Sequence, residues 1–257
     1  MFWLRWKRPS LVNPDAVRLP AGPDFGACIA ASHRDFPRLA EGLLLIDKVP
    51  AMTSFGVVAR IRKQTGVARV GHAGTLDPFA TGILVVGVGK TYTRQLESIQ
   101  KLPKTYVVRM VLGIETDTLD RDGKVLRQDV GAVGLAITAD QVAAVLPQFV
   151  GELDQIPPIF SAKKVDGKKN YERARAGEVV VPKASQVHVY SIEMHDFVPG
   201  EYPLATLEIA CGKGTYIRSI VRDVAAALGT VGYAKDLIRT VVGEWQLADC
   251  LAGEKWG

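Results

Sequence analysis

The amino-acid sequence predicts an α+β fold, a mixed, largely antiparallel central sheet flanked by helices. Segments of strand length and β-branched content outnumber segments of helical period, and they cluster without the steady strand–helix alternation of a parallel sheet. With 257 residues, 47% hydrophobic and 23% charged, the chain can bury a sizeable core, which excludes a disordered or collagen-like polymer. Residues 1–40 mix Pro, Gly, Arg and aromatic side chains without a sustained period and read as an N-terminal extension, leaving 41–257 as one domain.

The elements follow in order. Gly42–Lys48 (GLLLIDK) is an apolar run of strand length, after which Thr53 or Ser54 caps a helix that ends near Lys63 and is stopped by Gly66. A loop rich in Gly and Thr, GHAGTLDPFATG from Gly71 to Gly82, leads into a buried strand at Ile83–Gly89, and Lys104–Gly113 reads as another. Thr138 and Gln141 stand at capping-box spacing and open a helix running to about Val150, beyond which Pro157-Pro158 breaks the pattern. Gln186–Phe197 and Leu204–Cys211 read as strands. Thr215 is placed to cap a helix whose apolar positions Ile217, Ile220, Val221, Val224, Ala225 and Leu228 recur at helical spacing, with Gly229 as its stop.

Charge and cysteine usage narrow the function classes. The chain carries 32 Lys+Arg against 27 Asp+Glu, a net charge of +5. Most of that excess falls in Ser161–Gly177, where Lys163, Lys164, Lys168, Lys169, Arg173 and Arg175 stand against Asp166 and Glu172, with Tyr171 among them. This is the composition of a nucleic-acid backbone contact, with a solvated helix face as the alternative. Cys28, Cys211 and Cys250 form no C-x-x-C pair and the four histidines no H-E-x-x-H, so we expect no disulfide framework, no metal site and a reducing, cytoplasmic setting. Arg5, Lys7 and Arg8 interrupt the opening apolar residues, and no run reaches the about 18 residues of a membrane span, so neither secretion nor membrane insertion is expected.

Two places could carry chemistry, and a third fails. In Gly71–Gly82 the glycines allow close ligand approach, and Pro78 forces Asp77 out of the α region, presenting its carboxylate at a fixed angle. Such a group suits a nucleophile or general base, although Leu76-Asp77-Pro78 is also an ordinary turn. Arg218, at the start of the last helix, is disfavoured by the helix dipole and calls for an anion; Asp77 is a candidate partner, whose carboxylate it would orient. Gly89-Lys90-Thr91 ends like a phosphate-binding loop, but the required first glycine is Leu84, so nucleotide hydrolysis is not expected.

Three stretches together, GHAGTLDPFATGILVVGVGKT from Gly71, PPIFSAKKVDGKKNYERARAG from Pro157 and CGKGTYIRSIVRDVAAALG from Cys211, resemble the TruB family of tRNA pseudouridine synthases. Order and spacing agree from about Gly42 to Asp249. The resemblance implies the pseudouridine synthase fold and isomerisation of a uridine in the T arm of tRNA (uridine 55), flipped into a pocket, without a cofactor or metal. It implies that Asp77 is the catalytic nucleophile, that Tyr106 stacks on the base, and that Arg218 pairs with Asp77. Tyr216 and Leu237 would line the pocket, His72 would contact the RNA, and Lys48 would belong to the substrate-binding D-K segment. The implied partner is the tRNA T-arm stem-loop, bound by a monomer without an obligate protein partner. Val49, Ala51 and Phe160 depart from the family's usual residues. A C-terminal PUA domain, present in many members, has no counterpart, which assigns RNA affinity to the catalytic domain, the basic segment and residues 1–40. The alternative is a non-catalytic RNA-binding or tRNA-folding protein on the same scaffold.

Overall fold

The computed structural model describes residues 39, 41–129, 137–160, 164–165, 168–169 and 182–252. The expected extension over 1–40 lies outside them except for Leu39, as do Lys163, Arg173 and Arg175 of the basic segment; of Lys164, Lys168 and Lys169 only the backbone is described.

Ten strands form one sheet: β1 (Gly42–Lys48), β2 (Val70–Ala73), β3 (Thr81–Val88), β4 (Lys104–Leu112), β7 (Gly151–Gln155), β10 (Ser185–Val198), β11 (Leu204–Cys211), β12 (Gly232–Val242), β13 (Trp245–Gln246) and β14 (Leu251–Ala252). Two short hairpins stand apart, β5 (Ile114–Thr116) with β6 (Val125–Gln128) and β8 (Lys164–Val165) with β9 (Lys168–Lys169). Along the sheet the order is β14-β1-β3-β12-β4-β11-β10-β7, with β2 on β3 and β13 on β12. All pairings are antiparallel except β1–β14 and the central β3–β12 joint. The expected mixed, largely antiparallel α+β sheet is therefore observed.

Strand alternation distributes the core. Leu44 and Ile46 of β1 with Leu84 and Val86 of β3 point into one apolar cluster, under α1 (Ser54–Thr65), α3 (Ala139–Val145) and α4 (Ile217–Ala227). Leu43 and Leu45 with Ile83 and Val85 point the other way, into a second cluster with Ile99 of α2 (Gly89–Lys101). Coverage on both faces explains why β1 and β3 read as continuous apolar runs without a polar alternation.

The local signals hold with three corrections. Thr53 caps α1, its Oγ1 accepting from Gly56 N–H at 2.9 Å, and Gly66 closes it at φ 71°. The Thr138–Gln141 capping box is complete, but α3 stops at Val145 and continues as a 3₁₀ turn over Leu146–Phe149, because Pro147 has no N–H to extend the ladder. The first residues of the expected Gly71–Gly82 loop belong to β2, zipped onto β3. Thr215 does not cap α4; its hydroxyl donates to Gly212 O, and the buried side chain of Gln155 instead accepts from Tyr216 N–H at 2.8 Å and donates to Tyr216 O at 3.1 Å.

The parallel β3–β12 joint requires glycine at position 82. Gly82 sits at φ 98°, and a Cβ there would lie 2.3 Å from Arg239 O and 2.8 Å from Arg239 N. Gly82→Ala is expected to cost about 2–4 kcal/mol, lowering the melting temperature by about 5 °C or more. A thermal melt within about 2 °C of wild type would contradict this close-contact account.

Candidate active site

The loop between β2 and β3 is held residue by residue, which is what makes its carboxylate a positioned group. Gly74, at φ 70°, has its carbonyl bound by Arg239 Nη2 at 3.0 Å. Ser54 at the start of α1 brackets Leu76, its Oγ accepting from Leu76 N–H at 2.9 Å and donating to Leu76 O at 3.1 Å. Asp77 O accepts from Ala80 N–H, and Pro78 O accepts from Ala51 N–H at 3.0 Å and Lys48 Nζ at 3.1 Å. Leu76, Phe79 and Ala80 anchor the loop in the core on both sides of Asp77.

Arg218, on the first turn of α4, meets Asp77 side-on. Its Nε donates to Oδ2 at 2.9 Å and its Nη2 to Oδ1 at 3.1 Å, a two-bond fork that fixes the carboxylate plane. The remaining donors reach Thr118 O, Phe160 O at 3.0 Å and, at 3.2 Å, Asp120 Oδ2. A guanidinium only 4% exposed thus makes four hydrogen bonds and is ion-paired with two carboxylates at once. Asp77 is 32% exposed and faces open space, whereas Asp120 is buried on the loop after β5. Burial raises the Asp120 carboxyl above its ordinary value, against the opposing pull of Thr118 Oγ1 at 2.7 Å and of Arg218.

The open space is a cavity of about 480 Å³ whose lining includes Asp77, Tyr106, Tyr216, Arg218 and Leu237. Sheet register assembles it. Tyr106 on β4 pairs with Arg239 on β12, and Leu237 of β12 sits opposite Val108, so an aromatic and an aliphatic side chain enter from adjacent strands. Irregular register between Arg239 and Val241 bends β12 beside the site. Burial raises the Tyr106 hydroxyl above its ordinary value, keeping the ring neutral and available as a flat apolar surface.

Two expected contacts lie off the cavity lining. Lys48 is buried, and its ammonium donates to Val49 O at 3.0 Å, Met52 O at 2.7 Å and Pro78 O, so all three N–H groups brace the Asp77 loop. Burial lowers its pKa to about 8. His72 lies on β2 opposite Val86; burial, then Arg239, lower its pKa, and its Nδ1 is buried without a hydrogen-bond partner among the described residues.

Sequence reasoning missed Asp120, Arg239 and Lys104. Asp120 sits in T-D-T-L-D-R-D-G, indistinguishable from an ordinary turn. Arg239 and Lys104 did leave a signal, a cation inside a strand pattern, since a buried strand excludes an unpartnered charge unless a site needs it. Arg239, 1% exposed, donates to Ile83 O at 2.7 Å and Gly74 O, with Tyr106 Oη at 3.5 Å.

Comparison with known proteins gives a consistent result. The model of a family described as TruB family pseudouridylate synthase (N terminal domain) matches residues 62–217. The tRNA pseudouridine synthase B of Protochlamydia amoebophila is 41% identical over 217 residues, covering 84% of this chain and 80% of that protein. The protein of the same name from Gloeothece citriformis is 47% identical over 201 residues, 77% of this chain and 63% of the relative. Among solved structures, a chain of a Cbf5-Nop10-Gar1 complex superposes with a TM-score of 0.63 at 25% identity, covering 92% of this chain and 59% of that one.

Proposed function

The chain belongs to the TruB family of pseudouridylate synthases, and on that premise we propose that Asp77 is the carboxylate that acts on the target uridine, in the T arm of tRNA at position 55. The activity itself, conversion of uridine to pseudouridine in tRNA, follows from the relatives that the chain matches over four fifths of its length. The observation that carries the site reading is the side-on Arg218–Asp77 pair facing the cavity, 2.9 and 3.1 Å.

The reaction is redox-neutral. The N1–C1′ bond breaks, the uracil turns within the pocket, C5–C1′ forms, the C5 proton leaves and a proton arrives at N1. What it needs from the protein is a positioned carboxylate and a shaped, water-poor pocket that keeps the detached base in place. Asp77 supplies the first, and Tyr106 with Leu237 the apolar walls on which a flipped base stacks. Tyr216, whose backbone N–H and C=O are both bound by Gln155, lines the same pocket. In this reading His72 contacts the RNA outside the cavity, Lys48 braces the loop, and the basic segment including Lys164, Lys168 and Lys169 follows the phosphate backbone.

The test is pseudouridine formation on an unmodified T-arm stem-loop transcript in the presence of a metal chelator, with the modified position mapped. Product at uridine 55 and none when that uridine is replaced by cytidine is expected. Product confined to another uridine would overturn the T-arm assignment; bound RNA with no product would favour the RNA-folding alternative.

A further inference from the structure

Lys104 is a buried cation that the roles above leave unused. It opens β4 two residues before Tyr106, so the two side chains project from the same face of the strand, and both line the cavity. Only 5% of Lys104 is exposed. Its Nζ donates to Gln100 O at 2.6 Å and to Leu102 O at the end of α2, which uses two of its three N–H groups.

Neither acceptor carries a full charge, and no carboxylate lies within ion-pair distance of Lys104 among the described residues. The groups facing it are no better as counter-ions. Arg239, from β12, is a second cation without a carboxylate partner among those residues. Cys211, register-paired with Lys104 on β11, is a neutral thiol, pushed up to about 12 by burial. Tyr106 is neutral for the same reason. Two adjacent buried cations with no carboxylate within ion-pair distance among the described residues are costly to the folded protein. The cost is relieved when a ligand brings negative charge to the cavity floor.

The position of Lys104 decides which part of a nucleotide that is. Phosphates stay with the RNA strand at the mouth, where Thr75, Gln186 and Gly214 are exposed, and the group that reaches the buried floor beside Tyr106 and Leu237 is the base. Uracil offers carbonyl oxygens as acceptors. When N1–C1′ breaks with its electron pair leaving on the base, negative charge spreads over N1 and those oxygens.

We propose that Lys104 touches the flipped uracil, donating its third N–H to a ring carbonyl and stabilising the charge the base holds until C5–C1′ forms. Lys104 stays an ammonium throughout, and the C5 and N1 proton exchange is unchanged. The inference rests on the reading that the cavity takes the target uridine beside Asp77. Preorganised donors of this kind act where charge develops, in a site shielded from water. Burial, and then the Arg239 guanidinium, lower the Lys104 pKa to about 8, which gives the proposal a pH signature.

The experiment compares wild type, Lys104→Met and Lys104→Arg on the T-arm transcript, measuring kcat across pH and RNA affinity separately. Lys104→Met is expected to lower kcat about 10²–10³-fold, the scale of one lost charge-stabilising donor, with affinity within about threefold. Wild-type kcat is expected to fall above about pH 8 as the ammonium is lost, and Lys104→Arg to move that limb upward by about one unit or more, because a guanidinium stays charged. Lys48 has a similar pKa, so the move in Lys104→Arg is what assigns the limb. A limb unmoved in Lys104→Arg, or Lys104→Met with kcat within about fivefold of wild type, overturns the proposal, as does a loss confined to affinity, which would mark a phosphate contact. If Lys104→Met does not fold, the Arg profile decides alone. An active Asp77→Asn would instead defeat the underlying reading of the site; an inactive Asp77→Asn beside a normal Lys104→Met defeats this inference only.

Discussion

Replacing Asp77 by asparagine is expected to reduce pseudouridine formation by about four orders of magnitude or more, the scale on which loss of an attacking group registers. RNA affinity and fold should be nearly unchanged, because the loop is held mainly by bonds to its backbone. The Gly74, Leu76 and Pro78 carbonyls are bound by Arg239, Ser54, Ala51 and Lys48, and none of those bonds involves the Asp77 side chain. Asparagine keeps one acceptor for Arg218 and turns an N–H₂ toward the other donor, a loss of about 1–2 kcal/mol, or about 2–8 °C in the melting temperature. Single-turnover assays at saturating enzyme, with a filter-binding isotherm, separate chemistry from affinity. Activity within about tenfold of wild type would move the chemistry off Asp77.

How much of this was legible in the sequence varies by physical cause. Where the deciding interaction is local, the reading succeeds: Thr53 and Gly66 delimit α1, and Thr138 with Gln141 opens α3. Asp77 was legible because Pro78 restricts it and glycines surround it, and the Arg218–Asp77 pair because a cation at a helix start requires an anion. The failures are long-range. β12 escaped notice although it lies in the middle of the sheet, since its pattern is broken by Lys235, Asp236 and Arg239, and the partners of Asp236 and Arg239 lie far away along the chain. Arg109 of β4 and Arg121 meet Asp236, while Arg239 is matched by the carbonyls of Ile83 and Gly74, partners more than 100 residues away in sequence. Thr215 shows the converse: a competent local cap is displaced because Gln155, arriving from β7, takes both backbone groups of Tyr216. A capping preference worth about 1 kcal/mol yields to two part-buried hydrogen bonds of similar size each.

The second large effect is expected at Arg218. Arg218→Met preserves much of the apolar stem but leaves Asp77 and Asp120 without their shared cation, and the loops after β2 and β5 without the guanidinium that ties both to α4. Stripping one partner from a buried ion cluster costs about 3–5 kcal/mol, so the melting temperature should fall by about 6–20 °C, and activity should be lost with the orientation of Asp77. The two losses have different sources, which a second substitution separates. Asp120 is buried and touches no cavity space, so its uncompensated carboxylate is a stability cost alone. Asp120→Asn in the Arg218→Met background removes that charge, and the double variant is expected to regain about 1 kcal/mol or more relative to Arg218→Met while staying inactive. In the wild-type background the same Asp120→Asn change should be destabilising, since it leaves Arg218 with an uncharged acceptor in place of Asp120 Oδ2 at 3.2 Å. That reversal of sign is the signature of a guanidinium shared between two carboxylates. Asp120→Asn destabilising by the same amount in both backgrounds would show that the three side chains are not coupled, and that Asp77 takes its orientation from the loop backbone.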